Sequence, residues 1–174
     1  GTLNTAGDIT TTGGNVTIET ATTLTGPVSI DSAGGDIAFG AAATLGGAQN
    51  LTLDADTGDI SFNAAVGGTP LLDVVVTAAD DVTFHDVFSA ESFTHTAGTG
   101  TTTFQGQVEL TEAAGPALSI TTPQIIVNAL VRSQTGDMLL TTDDIEVNLG
   151  GFLIVVAADG RITLVQQTPD RELE

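Results

Sequence analysis

Short runs of apolar residues alternating with small or polar ones recur along the chain, and Gly, Asn, Asp or Thr bound each run. The run Gly14-Asn15-Val16-Thr17-Ile18 returns as Gly35-Asp36-Ile37-Ala38-Phe39, as Gly58-Asp59-Ile60-Ser61-Phe62 and as Asp80-Asp81-Val82-Thr83-Phe84. Weaker copies end at Phe104, Val127, Val147 and Leu164, and the end residues stand 21, 23, 22, 20, 23, 20 and 17 positions apart. Two apolar residues flanking a small or polar one have the period of two expected of a half-buried strand. A second series, Ile9, Val28, Leu51, Val74, Phe93, Leu118 and Met138, runs out of phase with the first. A third is the most regular: Leu24, Leu45, Val66, Val87 and Val108 recur every 21 residues, and Leu130 follows 22 later.

Three strand series sharing one period predict an all-β fold, a parallel β-helix (β-solenoid) with three short strands per coil. The spacing predicts about 7–8 coils of 20–23 residues. Each strand then pairs with its equivalent one coil away, so equivalent side chains stack inside the tube. Phe39, Phe62, Phe84 and Phe104 are expected to form an internal aromatic stack. A rise of roughly 4.8 Å per coil makes a rod roughly 35 Å long. Gly40, Asn63, His85, Gln105, Asn128 and Asn148 each follow the end residue of the first series and mark corners. Gly and Asn tolerate left-handed backbone there, and stacked amides can bond from coil to coil. No dozen-residue segment has a helical period. A sandwich or propeller would show two-residue hairpins, yet no Asn-Gly or Asp-Gly joins two copies; the one Asp-Gly, Asp159-Gly160, comes late. Residues 1–166 are expected to be one solenoid domain cut from a longer chain, and 167–174 a charged tail, cap or linker.

The Gly-Asp-Ile-x-Phe strand, its Asn or Gly corner and the Leu-Thr-Leu-x-Ala strand resemble the repeats of filamentous-haemagglutinin-like exoproteins. Autotransporter-type passengers and very large bacterial surface proteins have similar repeats. The resemblance covers residues 7 to about 165 and is one of repeat style. It implies a right-handed β-helix in a secreted or surface-exposed bacterial protein.

Composition narrows the role. The 174 residues include 30 Thr, 21 Gly, no Cys and no Lys, and 3 Arg against 22 acidic residues leave a net charge of −19. So few cations leave nothing to neutralise nucleic-acid phosphates or to hold an anionic membrane surface. The longest apolar run, Phe152 to Ala158, is seven residues, far short of a membrane helix, and reads as a buried strand. Gly1-Thr2-Leu3-Asn4 has neither the basic region nor the apolar core of a signal peptide.

Some right-handed β-helices are polysaccharide lyases or hydrolases that work with paired carboxylates. Asp80-Asp81 and Asp143-Asp144 are such pairs in sequence, with His85 and Asp86 near the first and Arg132 and Arg161 as available cations. Neighbours on a strand point to opposite faces, so the favoured reading of Asp80-Asp81 is a turn before a strand. The Asn-Thr-Asp, His-Gly and Arg-Ile-Lys elements of the polygalacturonase pattern are absent. Asp54-Ala55-Asp56 offers oxygens that could hold calcium weakly, but neither a repetitive calcium nonapeptide nor an EF-hand loop occurs. His85 and His95, ten residues apart on different series, read as turn or surface residues. No catalytic, cofactor or metal site is expected. The favoured role is a structural or adhesive extracellular module whose partners are a glycan or protein surface or neighbouring solenoid segments. A glycan-active enzyme and a subunit that stacks through open solenoid ends are the alternatives.

Overall fold

The structure is a computed structural model that describes residues 1–112 and 115–168. The chain winds as a β-solenoid. Its first three coils run β1 (Leu3–Thr5), β2 (Ile9–Thr10), β3 (Val16–Ile18); β4 (Thr22–Leu24), β5 (Val28–Asp31), β6 (Ile37–Phe39); and β7 (Leu45–Gly46), β8 (Leu51–Asp54), β9 (Ile60–Phe62). The fourth and fifth are β10 (Val66–Ala79) with β11 (Val82–Phe84), and β12 (Phe88–Gly98) with β13 (Thr101–Phe104). The sixth and seventh are β14 (Val108–Leu110), β15 (Pro116–Thr121), β16 (Gln124–Val127), and β17 (Leu130–Ser133), β18 (Asp137–Thr141), β19 (Asp144–Val147). An eighth turn contributes β20 (Phe152–Val155) and β21 (Ile162–Val165).

Each strand pairs parallel with its counterpart one coil away. One wall is the seven-stranded sheet β3-β6-β9-β11-β13-β16-β19. The other two walls, through β14 and through β15, join into a 14-stranded sheet because β10 and β12 each span both. This departs from three short strands in every coil. In β10 the wall-to-wall corner is crossed by a register shift between Val66 and Leu71, with Pro70 inside it, where a missing N–H costs no ladder bond.

Alternation sets the core. In β6, β9, β11 and β13 the terminal Phe points inward, and Phe39, Phe62, Phe84 and Phe104 form the expected column. Their ring centroids lie 5.1, 5.0 and 5.2 Å apart with interplanar angles of 3, 9 and 16°. Parallel register imposes this face-to-face stacking, which ring quadrupoles do not favour alone. Phe88 and Phe93 add what the column lacks: both meet Phe84 edge-on, at 75 and 88°.

Several register assignments differ from those read off the spacing. Val66 pairs with Phe88, and Val108 with Phe88 and Val131, so Val87 and Leu130 are each one residue off the inward column. Val87 is 46% exposed while Phe88 is 1% exposed. A slip of one residue moves a side chain to the opposite face, and burying the larger apolar surface decides the register. Leu45 pairs with Thr22 rather than with Leu24, and Ile9 with Ile30 rather than with Val28. Leu164 pairs with Leu140 and therefore belongs to the second series; its 17-residue step is too short for another full coil. The run from Phe152 is not buried either: Phe152 is 58% exposed, because its turn has no described coil beyond it.

The corner after the seven-stranded wall is held by backbone bonds. The N–H groups of Gly40, Asn63, His85, Gln105, Asn128 and Asn148 donate to the carbonyls of Ile18, Phe39, Phe62, Phe84, Phe104 and Val127, each one coil below. None of these six residues has a positive φ; left-handed geometry falls on Gly13, Ala33, Gly34 and Asp56 at the corner entering that wall, on Gly47 and Gly67 at the third corner, and on Gly150 just before β20.

Candidate functional site

The corner entering the seven-stranded wall carries the most ordered polar array of the molecule. The residue at the entry to each strand, just before β3, β6, β9 and β11 and first in β13, β16 and β19, stacks over its equivalent, giving the column Asn15, Asp36, Asp59, Asp81, Thr101, Gln124 and Asp144. The Asp36 N–H donates to Asn15 Oδ1 at 3.0 Å, and the Asp59 N–H to Asp36 Oδ1 at 3.1 Å. The Asp81 N–H donates to Asp59 Oδ1 at 3.1 Å, and the Thr101 N–H to Asp81 Oδ1 at 2.6 Å. Each side chain thus caps the backbone of the following coil. Farther along, Gln124 Nε2 donates to Asp144 Oδ2 at 2.7 Å. The same direction holds on the next wall, where Asp8, Asn50 and Asp137 accept from the N–H groups of Ser29, Asp73 and Arg161.

Of the candidate acids, Asp81 and Asp144 belong to this array, and other local bonds engage Asp54, Asp80, Asp86 and Asp143. Asp80 and Asp81 stand at the turn before β11, as the turn reading expects, with Asp80 accepting from the Thr99 hydroxyl at 2.8 Å. Asp143 is 6% exposed and accepts the N–H and hydroxyl of Thr168 at 2.7 and 2.5 Å, while Asp144 accepts from Gln124. Asp54 Oδ1 takes the N–H of Asp56 at 3.1 Å, as Asp31 Oδ1 takes that of Ala33 at 2.9 Å. These are turn-forming bonds, repeated on adjacent coils. Among the described residues no group of three or more His, Asp or Glu side chains is arranged to hold a metal ion.

Arg132 and Arg161 do not join these carboxylates. Arg132 lies on another wall, 3.7 Å from Glu109 of the preceding coil, and the Arg161 N–H bonds to Asp137. Asp86 Oδ1 accepts the N–H of the adjacent Val87. His85 is exposed at its corner with Nδ1 2.9 Å from Gln105 Oε1, and Asn148 Nδ2 donates to Asn128 Oδ1 at 2.8 Å, so stacked corner side chains do bond between coils. His95 is not a surface residue: it is 1% exposed, inside the tube. A shallow open depression of about 200 Å³ on the wall of β4 and β7 is lined by Thr22, Thr23, Thr44, Gly46, Gly47 and Thr69, without a charged side chain.

Sequence reading missed the capping role of the acids, although its signal was present: the Asn or Asp before the strand recurs in all four of the best copies. Asp59→Ala is expected to cost about 1 kcal/mol, the net worth of one hydrogen bond. Asp59→Asn should be near neutral, since Asn15 performs the same capping at the base of the column. Urea unfolding of both variants checks this, and equal losses for Ala and Asn would remove the capping role.

The described residues of the 167–174 tail are Gln167, whose N–H donates to the Thr142 carbonyl, and Thr168 on Asp143; residues 169–174, with Pro169 and Arg171, lie outside them. Comparison with protein-family models, with curated proteins and with solved structures finds no match to this chain.

Proposed function

We propose that the chain is a structural or adhesive β-solenoid module of an extracellular bacterial surface protein, acting as stalk, scaffold or binding surface rather than as an enzyme. The observation that carries this reading is how the acids are used. Carboxylates of successive coils accept backbone N–H groups along the rod and thereby hold coil to coil. A glycan-active β-helix needs carboxylates converging across a groove with a cation beside them, and Arg132 and Arg161 sit apart from both Asp pairs. The remaining exposed acids form a repelling shell that keeps a β-rich rod from aggregating along its sides. A screen against glycans and host-surface extracts, with calcium present and chelated, tests the proposal. Binding without any cleavage of the bound glycan supports it; release of reducing ends or unsaturated sugars overturns it.

A second reading is end-to-end stacking, with the first coil of another copy seated on the last turn. It is favoured by the exposed apolar side chains gathered there: Val147, Phe152, Ile154, Ile162, Leu164 and Val165. The charge of −19 opposes association of two copies, and salt screens it. Stacking therefore predicts rods that lengthen with concentration and with ionic strength in sedimentation velocity, and that shorten in Ile162→Asp. A monomer at all concentrations and salts leaves the spacer or adhesin as the sole reading.

A further inference from the structure

Coil five interrupts two inward columns that are aliphatic in the other described coils. One inward column runs Ile30, Leu53, Val76, His95, Ile120, Leu140 and Leu164 in continuous register. His95 is its one polar member. A column on another wall runs Val16, Ile37, Ile60, Val82, Thr102, Ile125 and Ile145, and Thr102 is its one polar member. Both interruptions fall in the same coil, and the two residues bond inside the core, with His95 Nδ1 3.0 Å from Thr102 Oγ1. They are 1% and 0% exposed. Space for the ring comes from Gly98, which stands where coil four has Ala79; a methyl group on Gly98 would lie 2.7 Å from His95 Cε1.

The pair leaves His95 Nε2 buried without a hydrogen-bond partner. We propose that coil five is an acid-labile seam, at which protonation of His95 opens the rod between coils four and six. An imidazolium has two N–H donors, and only Nδ1 has an acceptor within reach. No carboxylate compensates the charge. β11, β13 and β15 contain no acidic or basic residue. Asp73 on β10 bonds to Ser92, Glu91 on β12 is exposed, and Asp80 and Asp81 at the corner bond to Thr99 and Thr101. Consistent with this setting, desolvation by burial lowers the His95 pKa from 6.5 to about 4.

The direction of the pH effect follows. An open coil exposes an ordinary imidazole, which takes up a proton below about 6.5; the closed coil resists it down to about 4. The closed state is therefore favoured fully above that range and loses ground as pH falls through it, with no further loss below about 4. Opening is expected to rise on the order of 100-fold between pH 7 and pH 4. Acid also neutralises surface carboxylates and relaxes their repulsion, which acts in the opposite sense. A comparison of wild type with His95→Leu/Thr102→Val cancels that contribution, because the variant restores aliphatic columns without altering the surface acids.

The experiment is native-state amide exchange of the full chain at pH 7 and pH 4, corrected for intrinsic rates, comparing residues 88–104 with residues 45–62. Wild type should show the 100-fold gain in coil five, with coil three much less affected, and the double variant should show little gain. Equal pH responses in the two proteins, or exchange that rises uniformly along the rod, would overturn the seam. Should the double variant not fold, an imidazole titration of wild type by NMR decides: the His95 resonance must stay neutral down to about pH 4 while native signals persist. A His95 resonance that titrates near 6.5 in the intact fold rejects the proposal.

Discussion

Phe62→Asp is expected to abolish cooperative folding. Phe62 is 1% exposed, lies between the rings of Phe39 and Phe84 at 5.1 and 5.0 Å, and meets the edge of Phe88 at 5.9 Å. Removing the ring alone costs about 3–5 kcal/mol. The carboxylate then adds a desolvation penalty of several kcal/mol, with no Lys or Arg among the described core residues to offset it. A domain of this size is stable by only about 5–15 kcal/mol. Coils contact only their neighbours, so a fault in the third cannot be bypassed by contacts elsewhere. Far-UV circular dichroism in a urea series reads the result. Phe62→Leu, which keeps an apolar side chain in the column, should unfold cooperatively with a loss of about 1.5 kcal/mol. An Asp variant with the wild-type midpoint would mean that the coils are aligned differently.

Gly58→Val should be nearly as damaging, for a reason that lies wholly in the backbone. Gly58 sits directly over Gly35 at the corner between two walls. A Cβ there would lie 2.6 Å from the Gly35 carbonyl carbon and 3.1 Å from the Asp36 nitrogen. Its φ is not positive, so the obstacle is the approach of one coil to the next and not backbone strain. Coils separated by roughly 4.8 Å have no slack to absorb a side chain pointed along the rod. A loss of about 3 kcal/mol is expected. Gly68→Val is the control, because its Cβ would meet nothing within 4 Å and the change should stay within about 0.5 kcal/mol. Similar losses at both positions would contradict the close stacking of Gly35 and Gly58.

These two positions also show what can be read from the chain before folding. The Phe column was readable because a strand that ends in Phe every 20 to 23 residues has one economical arrangement, ring over ring. Register on the third wall was less so. Its strict 21-residue spacing favoured Val87, while the fold buries the neighbouring Phe88, since coil length varies by a residue at the corners. Asp80 and Asp81 are turn residues, as their place before a strand predicts; the use of the acids as caps depends on which N–H lies above each carboxylate. The His95–Thr102 pair was out of reach, because it joins the consecutive strands β12 and β13 inside one corner and no periodicity along the chain shows that the two side chains face each other there. The terminal run from Phe152 misled for a related reason: apolar residues on both faces signal a strand covered on both sides, and the described fold covers only one.

The capping column gives the rod an arrow. From Asn15 to Asp81 each side-chain oxygen that takes a backbone N–H belongs to the earlier coil and the N–H to the later one, while the Asn15 side-chain amide donates the other way, to Asp36 Oδ2 at 3.1 Å. A chain emerging with its N-terminus ahead would find, at each step, an acceptor already fixed in place for the next N–H to arrive. Each finished turn then presents acceptors for the backbone of its successor. The two ends of the rod are therefore chemically unlike along this column: one way it offers side-chain acceptors, the other way backbone donors.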